Sequence, residues 1–306
     1  MPKVSVVMSV YNDEKYLKES MDSILSQTFD DFEFIIVNDG SSDKTEEIIK
    51  SYNDSRIVYV ANIQNLGLPA SLNKGIRLAN GEYIARMDGD DISFPERFVK
   101  QVKFLDINRD YGVVGCWIHS FGRVDHITKY SNNFSDIFYA FIKNDATLCH
   151  PAAMIRKSIL LDYNIFYCES FSSAQDFKLW NDIKHVSKIS NIQEVLLKYR
   201  THYGSITSSK SIEQKNFRGI VVSDEFRKVF GRDFMNDYFK IINNDFKNVN
   251  QSVLKRFLES IISYRNRSFK ILLIKRFLRS KMRSKKDSYR LLKNIRLYML
   301  ISILRG

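Results

Sequence analysis

Tyr83-Ile84-Ala85-Arg86-Met87-Asp88-Gly89-Asp90-Asp91 sets a short apolar run, broken by one arginine, directly against three carboxylates in four positions. The run reads as a buried strand, and the acidic cluster as the loop at its carboxyl end. Carboxylates this close repel one another, so their natural partner is a cation. Hard oxygen ligands suit magnesium or manganese, which bridge to phosphate oxygens rather than sit in a complete protein cage. The competing reading is a solvated acidic turn that caps the helix starting near Pro95. An EF-hand is poorly supported, because its Gly and distal Glu spacing is missing.

Toward the N-terminus the chain alternates strand and helix. Residues 3–10 form an apolar, β-branched run closed by the polar turn Tyr11-Asn12-Asp13-Glu14. Residues 16–27 repeat apolar side chains at helical spacing (Leu17, Met21, Ile24, Leu25). Residues 32–37 are a second strand, closed by Asn38-Asp39-Gly40-Ser41-Ser42-Asp43, and Asp43 or a neighbouring Ser can cap the helix over 45–52. A strand at 57–61 and a helix at 70–79 come next. This alternation implies an α/β fold with a mostly parallel sheet and helices on both faces. Ligands in such sheets bind beyond the carboxyl ends of the strands, so the polar clusters at 11–14, 38–43 and 88–91 are expected to meet on one rim.

Toward the C-terminus, helices are expected at 95–105, 135–143 and 174–185, and strands at 113–121, 152–155 and 189–199. The rhythm ends near Ser205-Ile206-Thr207-Ser208-Ser209, and the remainder is helical in pattern. That gives a catalytic domain at 1–208 (halves at about 1–105 and 106–208) and a basic helical extension at 209–306.

The ordered set of motifs resembles the family-2 glycosyltransferases of the GT-A fold. The matching stretches are Val4-Ser5-Val6-Val7-Met8-Ser9-Val10-Tyr11-Asn12, Ser23-Ile24-Leu25-Ser26-Gln27-Thr28 and Ile36-Val37-Asn38-Asp39-Gly40-Ser41-Ser42-Asp43. Asn65-Leu66-Gly67-Leu68, Asn73-Lys74-Gly75-Ile76, the acidic tract with its strand, and Pro95-Glu96-Arg97-Phe98 with Gln101 continue the series. The resemblance spans roughly residues 3–205. It implies that Ser9, Tyr11 and Glu14 line a nucleotide pocket and that Asp39 accepts a hydrogen bond from uracil, where the bland alternative is a turn residue. It implies that Asp88 holds the ribose or a metal-bound water, that Asp90 binds Mn2+ or Mg2+, and that Asp91 either assists or caps the next segment. Arg86 pairs with a phosphate or with the acidic tract.

An inverting sugar transfer needs a general base for the acceptor hydroxyl. The family carries Glu-Asp before an apolar helix; here the stretch is Ala174-Gln175-Asp176-Phe177-Lys178-Leu179-Trp180, which makes Asp176 the expected base and leaves the first acid replaced by Gln175. As an alternative, compatible with catalysis, Asp176 caps that helix. His150 is implied to contact donor phosphate or acceptor, or to be structural. His202 matches a residue that closes over metal or diphosphate in some relatives. Trp180 is either core or an acceptor platform.

The chain's formal +12 is unevenly spread: from residue 250 onward sixteen Lys/Arg face two acids, so that segment carries +14 and the rest −2. Apolar and basic residues alternate there at helical spacing, which suits an anionic membrane surface. The alternatives are an extension packed on the catalytic domain and, without any nucleic-acid motif to support it, RNA binding. With no apolar run of about 18 residues, no transmembrane helix is expected, and residues 4–10 read as a strand rather than a secretory signal. Cys116, Cys149 and Cys168 form no CxxC pair, which argues against zinc and disulfides and fits a reducing compartment.

The expected activity is transfer of a hexose or N-acetylhexosamine from a UDP-sugar to a glycan or polyprenyl-linked acceptor. The setting is bacterial surface polysaccharide (O-antigen, capsule or lipooligosaccharide), at the cytoplasmic face of the membrane. A sugar nucleotidyltransferase is the rival enzyme, but Ser9-Val10-Tyr11-Asn12 is not a Gly-rich phosphate loop. A non-catalytic membrane or RNA adaptor is the rival outside enzymology.

Overall fold

The computed structural model describes residues 1–142, 145–202 and 211–230. Contacts divide the chain into two compact units, one of residues 1–137 and 144–219, the other of 138–143 and 220–306. The first unit holds the sheet and every candidate site residue. The basic segment from 250 onward lies outside the described residues.

The elements are β1 (Val4–Val10), α1 (Leu17–Leu25), β2 (Phe32–Asn38), α2 (Thr45–Lys50), β3 (Ile57–Ala61), α3 (Leu68–Leu78), β4 (Tyr83–Met87), β5 (Ile92–Ser93) and α4 (Arg97–Ile107). Then come β6 (Tyr111–Gly122), β7 (His126–Thr128), α5 (Phe134–Ile142), β8 (Met154–Arg156), α6 (Lys157–Asp162), α7 (Gln175–Ile183), β9 (Lys188–Thr201) and α8 (Ser211–Phe230). A single 3-10 turn covers His150–Ala152.

The sheet runs β3-β2-β1-β4-β8-β6-β9-β5, with β7 paired to β6. β3, β2, β1 and β4 are all parallel, as the alternation of strand and helix dictates. Beyond β4 the order is mixed. β8 is antiparallel to both β4 and β6, β5 is antiparallel to β9, and β6 with β9 is the remaining parallel pair. Parallel strands are covered on both faces, and the packing shows it. Val6, Met8, Phe34, Ile36 and Met87 face α1 and α4 through Leu17, Met21, Phe98 and Leu105. On the other face α3 lies so close that a Cβ on Gly75 would sit 2.6 Å from Val7 Cγ1.

Several motif residues prove to be struts. Arg97 is fully buried, and its guanidinium donates to the Arg86 carbonyl at 2.7 Å and to Gln101 Oε1 at 3.1 Å. Gln101 Nε2 in turn donates to the Ala152 carbonyl at 2.7 Å. An uncompensated buried cation would cost several kcal/mol, and burial does pull the Arg97 group down to about 10. Asn73 of α3 pins the segment before α7, bonding both the amide and the carbonyl of Tyr167 at 2.9 Å. Cys116, Cys149 and Cys168 are free thiols.

Candidate active site

The carboxyl ends of β1 and β2 are tied to each other by side chain–backbone bonds. Beyond Val10 the chain turns at Asn12, whose φ of 55° is left-handed. Asparagine tolerates that region better than most residues, and here its Oδ1 accepts from the Ser42 amide at 2.8 Å. Asp43 accepts from the Thr45 and Glu14 amides, both at 3.0 Å, so it bonds the first residue of α2 from one position before Lys44, which occupies the cap. Glu14 is exposed, and its carboxylate accepts from the Lys44 amide at 3.0 Å. The left-handed step at Asn12 turns Asp13, not Glu14, toward the acidic tract.

Ser9 is buried at the end of β1, and Tyr11 is half exposed (49%) on the rim just beyond it. Asp39 is buried and fully engaged in the loop before α3. Its Oδ1 accepts from Asn62 Nδ2 and the Leu66 amide at 2.8 Å, and its Oδ2 from the Gly67 amide at 2.9 Å. Gly40 makes that approach feasible: its φ is 74°, and a Cβ there would lie 2.8 Å from the Gln64 carbonyl carbon. Asp39 is thus an organiser of the loop in this structure, with one lone pair on Oδ2 left for a further donor.

The acidic tract closes this rim. Asp88, Asp90 and Asp91 bring carboxylate oxygens within 4.8 Å of one another. The Asp88 carboxylate accepts from the buried Arg86, whose Nε and Nη1 have no partner within the protein. Asp91 is fully buried; Oδ1 accepts from the Arg200 amide at 2.8 Å and Oδ2 has no partner. His202 Nε2 shares a 3.0 Å bond with Asp90 Oδ2, which brings these two expected site residues together. Arg200, which the sequence did not single out, donates to the Asp90 carbonyl at 2.7 Å, pairs with Glu19, and stacks on Tyr16 and Phe121. These bonds hold the tract as a fixed element rather than a solvated turn.

Asp13 is the fourth carboxylate, also unassigned from the sequence. A Cβ on Gly89 would lie 2.8 Å from its Oδ2, so the glycine in the tract is what allows the two loops to close. Burial, then the charge on Asp90, pushes Asp13 up to about 7. Burial and the neighbouring aspartates likewise push Asp90 upward, and Asp91 well above the usual carboxylate range. The cluster is short of positive charge, and its donors are all hard oxygens. A divalent cation fits both facts.

A second cluster gathers around α7. His150 shares a 2.7 Å bond with the Tyr167 hydroxyl, and its ring stands 6.1 Å from that of Trp180. Burial, with the Arg86 charge nearby, pulls His150 well below the usual histidine range, so it is a neutral imidazole. Trp180 is 1% exposed; an open acceptor platform is not what the fold builds, because the indole packs on the inner side of α7. Its Nε1, like the nearby Ser173 Oγ, has no partner. Asp176 is the second residue of α7, not its cap; Ala174 occupies the cap position at φ 58°. Burial raises the Asp176 carboxyl, and the Asp88 charge reaches it and adds to the rise.

Residues 5–163 match the family described as Glycosyl transferase family 2. The uncharacterized glycosyltransferase MJ1057 of Methanocaldococcus jannaschii is 42% identical over 208 residues, covering 65% of this chain and 71% of that one. The O-antigen biosynthesis glycosyltransferase WbnJ of Escherichia coli is 34% identical over 217 residues, covering 67% and 82%. Among solved structures, S. aureus TarS 1-349 in complex with UDP-GlcNAc aligns with a TM-score of 0.61 at 17% identity, over 91% of this chain and 81% of that one. The chain belongs to glycosyl transferase family 2, and its fold is the GT-A fold. The matched segment ends before Asp176, Arg200 and His202, so their places come from the structure alone. Among the described residues no helix is long and apolar enough to cross a membrane.

Proposed function

We propose that the protein is an inverting transferase that moves a hexose or N-acetylhexosamine from a UDP-sugar to a glycan or lipid-linked acceptor during bacterial surface-polysaccharide synthesis. The observation that carries the reading is the gathered tract Asp88–Asp91, with the Asp176 carboxyl at the start of α7 near enough to feel the Asp88 charge. The names of the E. coli relative and of the S. aureus neighbour's ligand support the acceptor class and the donor class respectively.

Asp88 and Asp90 are the residues that would hold Mn2+ or Mg2+, with His202 at the edge of the same group. A bound cation there offsets the negative charge that develops on the departing diphosphate. Ser9, Tyr11 and Glu14 would line the nucleotide pocket, Tyr11 near the base, with Asp39 as the acceptor for the uracil ring. Arg86, anchored on Asp88, keeps two unpartnered nitrogens, Nε and Nη1, for donor oxygens. The acceptor oxygen attacks the anomeric carbon, the bond to the phosphate oxygen breaks, and UDP leaves. The hydroxyl proton passes to Asp176, whose burial makes it a stronger base than an exposed aspartate. A single displacement of this kind inverts the anomeric centre. The strongly basic segment beyond residue 250 supports a peripheral site at the inner membrane face, where a polyprenyl-linked acceptor would be met.

The test is a panel of sugar nucleotides offered to the full chain with Mn2+, reading UDP release. UDP-sugars are expected to turn over, and Asp90→Ala to abolish the metal-dependent part. Near-normal turnover in that variant would sink the metal assignment.

A further inference from the structure

The helix beyond residue 208 begins as part of the site's surroundings. Three contacts set the first turns of α8 against α7 and the loop that enters it. Ser172 Oγ donates to Glu213 Oε1, the rings of Phe171 and Phe217 lie 4.8 Å apart, and Arg218 Cζ stands 5.5 Å from the centre of the Phe177 ring. Glu213 and Phe217 are four residues apart and so share one helix face, with Arg218 at its edge. Phe177 is the residue after Asp176. The Arg218 Nε is buried and has no hydrogen-bond partner. A guanidinium laid on an aromatic face keeps its charge while losing water, which leaves it ready for a negative group.

We propose that Arg218 is a positioning residue for Asp176, so that the start of the expected extension belongs to the catalytic unit. The inference rests on Asp176 being the base. The groups that face Asp176 divide clearly. Asp88, at the end of β4, opposes its ionisation as burial does, whereas Arg218 is the strongest influence in favour of it. Tyr130, Cys149 and Tyr167 also feel the Asp176 charge, and burial raises all three, so they stay neutral at ordinary pH. Arg218 thus favours the ionised carboxylate that must accept the acceptor's proton, against burial and Asp88.

The experiment is the pH profile of kcat in the full-length chain for Arg218→Gln and Arg218→Lys, with Asp176→Asn as reference. In Arg218→Gln the acidic limb is expected to move up by about one pH unit. A one-unit move corresponds to a roughly tenfold rate loss below the limb and convergence with the parent protein above it. Arg218→Lys is expected to restore the limb in large part. An unmoved limb in a folded Arg218→Gln variant overturns the proposal. If that variant does not fold, Arg218→Met, which keeps the stem and removes the charge, takes its place: a limb displaced upward supports the proposal and an unmoved one overturns it. Full activity in Asp176→Asn would instead show that the base itself is misassigned.

Discussion

The two sides of the candidate site differ in how completely the protein satisfies its own polar groups. Around β1, β2 and the loop before α3, Asp39 takes three donors, and Asn12, Glu14 and Asp43 bond backbone amides across the rim. Around α7, Ser173 Oγ, Trp180 Nε1, Arg218 Nε and the two Arg86 nitrogens are buried without partners. Each such group costs about 1–3 kcal/mol when left unpaired. The contrast teaches where rigidity and where reactivity reside. One side holds its shape from within, whereas the other keeps donors and a raised carboxyl in reserve for a reacting partner.

That contrast can be broken from either side. The largest effect is expected from Asp176→Asn on the reserve side: kcat falls about 10²–10⁴-fold while UDP binding and thermal stability stay near those of the parent. Calorimetric titration with UDP checks this, and a matching loss of binding would mean that Asp176 holds the donor. Next comes Asp39→Ala on the satisfied side, expected to cost about 2–4 kcal/mol in urea unfolding because three amide donors lose a charged acceptor. A cost below about 0.5 kcal/mol would show that the loop holds itself.

The smallest effect sharpens the contrast at the tract. Asp13 is raised to about 7 in the fold, so between about pH 4 and 7 the folded chain keeps a proton that the unfolded chain releases. Stability therefore falls as pH rises through that window, and the full penalty is present above pH 7. Asp13→Asn removes it. Thermal melts without divalent cation should show a gain of about 1–2 kcal/mol at pH 8, after allowance for solvent screening, and almost none near pH 4. Equal gains at both values would assign the effect to packing, and added Mn2+ should shrink the gain at pH 8.

Legibility in the sequence divides along the same line. β1, β2 and β4 are buried on both faces and read as apolar runs, as does the half-exposed edge strand β3, so their places, the rim they share and the acidic tract are legible. β5 and β7 are too short to show a period, and α6 continues from β8 without a break. The insertion of β8 between β4 and β6 is a long-range pairing that no local pattern announces. Arg200 escaped notice because its role depends on strand β9 reaching back to Asp90 and Asp91. The place of Asp13 beside the tract is not legible because the sequence does not reveal the left-handed turn at Asn12. Arg218 sits in a helix whose residue pattern marks no single side chain out from its neighbours.

The return of β9 has a consequence for synthesis. The bonds that Arg200 and His202 make to the tract span 109 to 112 residues. At about 5–20 residues per second, a ribosome has made Asp91 roughly 5 to 20 seconds before it supplies those partners. Through that interval the aspartates have no arginine or histidine from β9 beside them, whatever the first four strands have already done. A nascent chain halted before Ile192 would carry the nucleotide-side strands complete and the acidic tract still open, which makes the last strand of the sheet the step that commissions the enzyme.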